Sequence, residues 1–209
     1  MSEEQRRIGV LGGTFDPIHY GHLIIAEDAR ATLGLERVLF VPARRSPLKQ
    51  PHSSAPAHHR VRMVELAIAS NPHFELSRVD LERPAPSYTV DTLRLLQEAW
   101  GPRADLYFII GADSLADLLR WHQPEEIIRL CHLVVAPRPG HRADLEALET
   151  HLPGITARTI LLHSPEVGIA AVDLRRRVRE GQSITYQTPP EVEAYIREHR
   201  LYLPRRLRA

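Results

Sequence analysis

Short, continuously apolar runs alternate with longer amphipathic stretches along this chain. The apolar runs predict strands at residues 8–11, 38–41, 74–76, 106–110, 133–136 and 160–162. The amphipathic stretches predict helices at residues 23–33, 58–70, 89–100, 142–151, 173–179 and 190–199. Strands separated by helices of this length favour right-handed crossovers and a mostly parallel sheet.

The predicted strands are apolar at successive positions rather than at alternating ones, which is typical of strands that are covered on both faces. The sequence therefore predicts an α/β fold, a single-domain doubly wound parallel sheet over residues 1–209, with a short helical part from about residue 173. The stretch 44–57 is rich in proline, serine and histidine. It is a candidate lid, because long loops in compact domains often have that role.

Composition and charge exclude several classes of protein. The 209 residues are 43% hydrophobic and 25% charged, as in a globular protein, and the net charge of +1 argues against a nucleic-acid partner. No apolar leader and no apolar run of roughly 20 residues is present, so we expect a cytoplasmic protein without a membrane partner. The single cysteine, Cys131, excludes an internal disulfide and is predicted to be buried in a strand.

Candidate chemistry begins where the first strand ends, because ligands of doubly wound sheets bind at the carboxyl ends of the strands. The run from Gly12 to His22 reads Gly-Gly-Thr-Phe-Asp-Pro-Ile-His-Tyr-Gly-His. Adjacent glycines let the backbone approach a phosphate, and the N–H groups that open the next helix point to the same place. His19 and His22 are three residues apart, so both imidazoles lie on one helix face and are placed to donate to phosphate oxygens. The alternative is a glycine turn that carries two surface histidines.

Three other interpretations of this run fail. A dinucleotide-binding turn requires Gly-x-Gly-x-x-Gly and an acidic residue about 20 residues later, and the second strand ends in Pro-Ala-Arg-Arg instead. A P-loop requires Gly-Lys-Ser/Thr, whereas Gly21 is followed by His22 and Leu23. A zinc site requires a third ligand at a fixed helical spacing, which the run lacks.

The run from Gly12 to His22 closely resembles the signature of the nucleotidylyltransferase superfamily. Later segments resemble, in order, those of the bacterial nicotinate-mononucleotide adenylyltransferases, and the resemblance extends from Ile8 to Tyr202. These later segments are residues 87–93, 111–114, 120–122, 136–140 and 195–202.

The resemblance implies an enzyme that joins ATP to nicotinate mononucleotide with Mg²⁺ and forms deamido-NAD and pyrophosphate. The ATP-binding residues that it implies are Gly12, Gly13, Thr14, Phe15, His19, His22, Gly111, Asp113, Arg138 and Arg175. The nicotinate-nucleotide pocket that it implies is formed by Tyr88, Thr89 and Trp121. The implied catalytic residues are His19, His22, Lys49 and Arg175, with Lys49, the single lysine of the chain, reaching the phosphates from the 44–57 loop. ATP phosphates, rather than protein side chains, are expected to hold the Mg²⁺.

Residue chemistry agrees with these roles, although each has a structural alternative. Trp121 offers a flat π face to a pyridine ring, or it is a core tryptophan. Thr89 as the cap of the 89–100 helix would direct backbone N–H groups at a carboxylate, or it only caps the helix. Asp113 follows the longest strand, where it meets a ribose hydroxyl or merely shapes a turn. The attacking 5′-phosphate is ionised at neutral pH, so no general base is expected.

One segment departs from the family pattern Ile-Ser-Ser-Thr-x-Ile-Arg. Residues 169–175 read Ile-Ala-Ala-Val-Asp-Leu-Arg, so the three hydroxyls are absent and Arg175 remains. Each lost hydrogen bond to a phosphate costs about 1.5–3 kcal/mol where it exists. A catalytically weakened nucleotide-binding module is therefore the alternative to an active enzyme. Nicotinamide mononucleotide and phosphopantetheine are alternative substrates, and a fragment of an aminoacyl-tRNA synthetase is disfavoured because the chain has no basic stripe for tRNA.

Overall fold

The computed structural model describes residues 5–44 and 55–204. Within them, six strands form one sheet in the order β3-β2-β1-β4-β5-β6, and each neighbouring pair is parallel. The strands are β1 (Arg6–Gly13), β2 (Arg37–Pro42), β3 (Phe74–Leu76), β4 (Ala104–Gly111), β5 (His132–Ala136) and β6 (Thr159–Leu161). This order, which reverses between β1 and β4, confirms the predicted doubly wound α/β fold.

Helices make the connections between the strands and follow the last one. They are α1 (Tyr20–Leu33), α2 (Ala57–Ile68), α3 (Thr89–Trp100), α4 (Ala112–Ala116), α5 (Pro124–Leu130), α6 (Leu145–His151), α7 (Ile155–Arg158), α8 (Ala171–Arg179) and α9 (Pro190–Glu198). α1 ends at Gly34, whose φ of 61° is left-handed and open to glycine without strain. Among the described residues, no helix has both the length and the apolar character that a bilayer crossing requires.

Two hydrophobic cores lie on opposite faces of the sheet, because successive strand residues point to opposite sides. Leu11 of β1 and Ile109 of β4 belong to one core, whereas Val10 and Phe108 belong to the other. α8 and α9 close the first core with buried side chains that include Leu174. The C-terminal helices are therefore packed onto the same core that supports the end of β1.

All the predicted strands and helices occur, most of them with ends shifted by one to three residues. The prediction that Thr89 caps α3 is wrong, because Tyr88 has the extended cap conformation and Thr89 is the first helical residue. The apolar pattern does not predict α4, α5 and α7. These helices have five, seven and four residues, which is too short to display a clear helical period.

Cys131 is buried, as predicted, but it is not in a strand. It is the C-terminal cap of α5, one residue before β5 begins, and its Sγ lies 3.3 Å from the carbonyl oxygen of Ile127. Burial raises the pKa of the Cys131 thiol to about 12. The thiolate needed for nucleophilic chemistry is therefore strongly disfavoured at neutral pH.

A group of aromatic and imidazole rings joins α2 to α9. His59 Nδ1 lies 2.8 Å from the Tyr195 hydroxyl, and the His59 ring has its centroid 4.1 Å from that of His58 and 5.2 Å from that of His199. Burial first, and then the neighbouring imidazoles His58 and His199, lower the pKa of His59 below its ordinary value of 6.5. Folding thus favours the neutral ring.

We expect His59 to make the stability of the protein depend on pH. Because its folded pKa is lowered, its contribution is complete above the unfolded pKa of 6.5 and is lost as the pH falls from 6.5 through the folded pKa. A His59→Gln variant should therefore lose less melting temperature between pH 7.5 and 5.5 than the wild type, measured by circular dichroism. His163→Gln, at an exposed histidine, is the control and should follow the wild type. Parallel curves for His59→Gln and wild type would contradict this expectation.

Candidate active site

The crevice at the carboxyl ends of β1 and β4 is the expected ligand site, because the chain leaves these neighbouring strands toward opposite edges of the sheet. Glycines end both strands. A Cβ on Gly111 would collide with the Asp113 carboxylate, and a Cβ on Gly12 would lie 3.4 Å from the Phe108 ring. The two glycines therefore let side chains from β4 and α4 close on the strand ends.

The turn after β1 is formed around a buried phenylalanine. Phe15 has a φ of 49° and is 2% exposed, and its ring lies edge-on to the His22 ring at 5.1 Å between centroids. A Cβ on Gly13 would lie only 3.1 Å from the Phe15 ring, so a larger residue would push the ring out of its present position. The Phe15 side chain belongs to the core, which leaves its backbone as the part that can meet a ligand.

His19 and His22 lie together at the start of α1. The backbone N–H of His19 donates to His22 Nδ1 at 3.2 Å, and the two rings stack with centroids 3.8 Å apart. In neutral His22 this hydrogen bond places the ring proton on Nε2, which is the nitrogen that can donate to a phosphate. A Cβ on Gly21 would lie 3.1 Å from the His19 ring, so the glycine of His-x-Gly-His makes room for the first histidine.

A cluster of buried polar side chains holds the turn after β1 in place. Asp16, 4% exposed, accepts hydrogen bonds from the Tyr202 hydroxyl at 2.8 Å and from the Ala55 N–H at 3.0 Å. Arg60, 3% exposed, donates to the carbonyl oxygens of Thr14 at 2.7 Å and Ala55 at 3.1 Å. Burial lowers the pKa of Arg60 and raises the pKa of Tyr202. The Tyr202 phenol therefore keeps the proton that it donates to Asp16. These side chains hold the turn by its backbone.

Arg175 faces the same turn from α8. Its Nη1 donates to the Asp16 carbonyl oxygen at 2.6 Å, and its side chain is 17% exposed. By contrast, Arg176 is 51% exposed and pairs with Asp173 and Glu180 along the helix. Of these two arginines, Arg175 is therefore the one that faces the predicted phosphate site.

Asp113 and Arg138 meet across the ends of β4 and β5. Their closest atoms, Asp113 Oδ2 and Arg138 Nε, are 3.3 Å apart, and both side chains are more than a third exposed. The Arg138 carbonyl accepts from the His141 N–H at 3.0 Å, which closes a turn in which Gly140 has a φ of 78°. The two residues predicted for the adenosine side thus form one polar pair at the crevice.

The predicted pyridine pocket lies on the sheet face to which Phe108 of β4 points, opposite the face that carries α8 and α9. Trp121 packs edge-on against Phe108 with ring centroids 6.1 Å apart, and the Tyr88 ring lies 4.5 Å from the ring of His122. Trp121 is partly buried, and its Nε1 is buried with no hydrogen-bond partner among the described residues. Phe108 therefore separates Trp121 from Gly12, so the tryptophan lies one ring away from the end of β1.

Two hydrogen bonds connect the two sides of the site. Gly13 O accepts from the Ala43 N–H at 2.8 Å, and the next N–H, that of Arg44, donates to Ser87 Oγ at 3.0 Å. The segment that leads into Tyr88 is thereby tied to the glycine turn through the end of β2. Lys49 lies outside the described residues, as does most of the predicted 44–57 loop, so both remain predictions.

Comparison with known proteins identifies the family. Residues 10–177 match the cytidylyltransferase-like family model. A Roseiflexus sp. (strain RS-1) protein named "Probable nicotinate-nucleotide adenylyltransferase" is 51% identical over 93% of this chain and 97% of its own length. The chain belongs to the nicotinate-nucleotide adenylyltransferase family. A Thermomicrobium roseum relative with the same name is 50% identical over 94% of this chain and 91% of its own length.

Solved structures show the same fold. A Plasmodium falciparum nicotinic acid mononucleotide adenylyltransferase complexed with NaAD matches with a TM-score of 0.78 and 23% identity, over 94% of this chain and 97% of that one. The structure described as this enzyme complexed with APC matches with a TM-score of 0.76 and 22% identity over the same shares. At these identities the likeness establishes the nucleotidyltransferase architecture and nothing finer.

Within this adenylyltransferase family, the Ala-Ala-Val stretch is the notable difference from the pattern described above. Ala170 is the N-terminal cap of α8 and makes no side-chain capping bond, and Val172 is 62% exposed. The backbone N–H groups of the first helical turn do not depend on side-chain identity, so this end of α8 keeps its attraction for anions.

Asp16, Arg60 and Tyr202 support the site but are not among the residues that the sequence predicts for it. Asp16 stands inside the signature, but its partners come from α2 and from the chain after α9, and no spacing in the sequence connects them. The sequence gives one indication for Arg60, which lies at helical spacing from the apolar residues Met63, Val64 and Ala67.

We expect Tyr202→Phe to destabilise the protein by about 1.5–3 kcal/mol, because Asp16 loses a buried hydrogen-bond donor. Urea unfolding monitored by circular dichroism would measure the change. Tyr186→Phe removes a hydroxyl from a side chain that is 89% exposed and should leave the free energy of unfolding unchanged. Equal stability of the two variants would show that the Tyr202–Asp16 bond contributes nothing net.

Proposed function

We propose that this chain transfers the adenylyl group of ATP to nicotinate mononucleotide and releases pyrophosphate and deamido-NAD, a step of NAD biosynthesis. One observation carries the proposal: the stacked His19 and His22 rings lie just beyond the end of β1, and Tyr88 and Trp121 form an aromatic surface on the far side of Phe108 from Gly12. Imidazole donors suit the phosphates of ATP, and an aromatic surface suits a flat pyridine ring. The names of relatives that are about half identical over nearly the whole chain support the same reaction.

The chain's own groups suit an in-line displacement at the α-phosphorus of ATP. The 5′-phosphate oxygen of the mononucleotide forms the new P–O bond, and the bond to the bridging oxygen of pyrophosphate breaks with its electron pair on pyrophosphate. No proton has to be removed from the attacking phosphate, so positioning and charge stabilisation carry the reaction. His22 Nε2–H, the N–H groups that open α1, and Arg175 are placed to stabilise the charge on the phosphates.

Mg²⁺ fits this site as an ion held by ATP rather than by the protein. The Asp16 carboxylate is occupied by Tyr202 and Ala55, and Asp113 pairs with Arg138. In residues 5–44 and 55–204, no three His, Cys, Asp or Glu side chains are grouped so that they could hold a metal. Mg²⁺ typically keeps waters and substrate phosphates as ligands, and when bound it neutralises charge on the pyrophosphate.

Pyrophosphate release from ATP and Mg²⁺ tests the proposal, with nicotinate mononucleotide and nicotinamide mononucleotide assayed in parallel. We expect release with the acid well above release with the amide. Release with the amide alone would show that nicotinamide mononucleotide is the substrate instead, and release with neither would contradict the proposed reaction.

A nucleotide-binding module with weakened catalysis is the second candidate, favoured by the absence of side-chain hydroxyls at residues 170–172. Calorimetric titration with ATP separates the two candidates. Binding of ATP without pyrophosphate release would favour the module.

A further inference from the structure

The segment between β3 and α3, together with the first turn of α3, contains a buried ionic group to which neither the motifs nor the resemblance gave a role. Asp80 and Thr92 are 5% and 4% exposed, and the Arg83 side chain is 16% exposed. Arg83 Nε and Nη2 donate to Asp80 Oδ1 at 3.1 and 2.8 Å, and Thr92 Oγ1 lies 2.6 Å from the same carboxylate oxygen. We call these three side chains the brace.

The brace holds the backbone of the residue that opens α3. Arg83 Nη2 donates to the Tyr88 carbonyl oxygen at 2.9 Å, and Nη1 donates to the Pro86 carbonyl oxygen at 3.2 Å. The Thr92 backbone N–H donates to the same Tyr88 carbonyl oxygen at 3.2 Å, which is the first backbone hydrogen bond of α3. The Thr92 hydroxyl accepts from Arg83 Nη2 at 3.1 Å. The guanidinium of Arg83 thus binds the backbone carbonyl of the cap residue Tyr88 and that of Pro86, two residues before it.

Such a guanidinium is costly to bury, and it is retained where its planar donors meet several acceptors at once. Here the acceptors are the Asp80 carboxylate, the Thr92 hydroxyl and the two backbone carbonyls on either side of Ser87, with the Asp91 carboxylate at 3.5 Å. Ser87 Oγ in turn accepts from the Arg44 N–H, which follows the end of β2. The brace therefore orients the short segment that presents the Tyr88 ring to His122 beside Trp121.

We propose that Asp80, Arg83 and Thr92 are positioning residues that set the affinity of the enzyme for its pyridine mononucleotide. The inference rests on the proposed function and deepens it. The brace acts through Tyr88 and the start of α3, on the aromatic side of the crevice. The phosphate side has its own supports in Asp16, Arg60 and Tyr202, so we expect the brace to affect the KM for ATP much less than the KM for the mononucleotide.

Steady-state kinetics of Thr92→Val and Thr92→Ser test the proposal in the full-length protein. Valine keeps the shape of threonine and removes the hydroxyl, whereas serine keeps the hydroxyl. We expect Thr92→Val to raise the KM for nicotinate mononucleotide about tenfold while the KM for ATP stays within about twofold, and Thr92→Ser to restore the wild-type value. Arg83→Met should raise the same KM further.

Arg78→Met is the matched control, since Arg78 lies in the same segment, is 53% exposed and pairs with Glu65. It should match the wild type in both KM values. Equal changes in both KM values for Thr92→Val, or no change in a folded variant, would overturn the proposal. If Arg83→Met fails to fold, the Thr92 pair decides. A wild-type protein that releases no pyrophosphate overturns the proposed function and, with it, the pocket that the brace serves.

Discussion

His22→Ala should lower kcat by about 10²–10³-fold, the usual loss when one donor to a developing charge is removed. His22 Nδ1 accepts from the His19 N–H, so Nε2 carries the proton of the neutral ring and is the donor for phosphate. The KM for ATP should rise less, since the interaction strengthens as charge moves onto pyrophosphate. Single-turnover measurement of pyrophosphate release would report this loss directly.

Two further variants separate the chemical role of His22 from its part in opening α1. Asparagine places an amide oxygen near the position of Nδ1 and keeps the acceptor for the His19 N–H, but it has no donor at the position of Nε2. Glutamine places an amide N–H near the position of Nε2. We expect His22→Asn to be as slow as His22→Ala but more stable, and His22→Gln to recover part of kcat. An unchanged kcat in His22→Ala would remove this residue from the mechanism.

Trp121→Ala should raise the KM for nicotinate mononucleotide about 10–100-fold, because both a stacking face and buried apolar area are lost. The ring rests edge-on against Phe108, so its other surfaces are the ones available to a flat ligand. The KM for ATP should change by less than about threefold, since the phosphate side is held by other residues. Initial rates with each substrate varied in turn would give both constants.

Trp100 provides the matched control for Trp121. It ends α3 and carries the Arg6 and Arg37 guanidiniums over its ring at 4.7 and 5.2 Å. Arg6 is the first residue of β1, so Trp100 lies at the opposite end of the sheet from the crevice. Trp100→Ala should lower the melting temperature without separating the two KM values. Equal effects of Trp121→Ala on both KM values would indicate that Trp121 is a core residue rather than a pocket wall.

Local pattern was sufficient for the strands and the longer helices, and it also indicated the glycines and histidines of the proposed site. The glycines and histidines of residues 12–22 act through the turn and helix in which they stand, so their spacing carries their geometry. Tyr88 stands directly before the predicted 89–100 helix, whereas Trp121 was named only through the resemblance. Thr89 shows the limit of this reasoning, because which residue takes the cap conformation depends on how Arg83 and Thr92 hold the Tyr88 carbonyl.

The supports of the site could not be predicted in this way, because their partners are distant along the chain. Asp16 meets Tyr202, separated from it by 186 positions, and Arg175 reaches the Asp16 carbonyl across 159 positions. These contacts form only when β1, α2 and the C-terminal helices α8 and α9 pack on the same hydrophobic core.

Apolar periodicity thus defines which segments become strands and which ends of those strands carry chemistry, because both depend on neighbours a few residues apart. The choice of partner for a buried charge depends on the packing of whole elements against one another. Arg60 and Arg83 each stand within two residues of both an apolar and another charged residue, so the sequence does not show which partners either one takes. In the folded chain Arg60 binds the carbonyl of Thr14 in the glycine turn, and Arg83 binds the carbonyl of Tyr88 at the start of α3. Each buried guanidinium must be hydrogen-bonded, so its partners are the carbonyl and carboxylate oxygens that the packed core places near it.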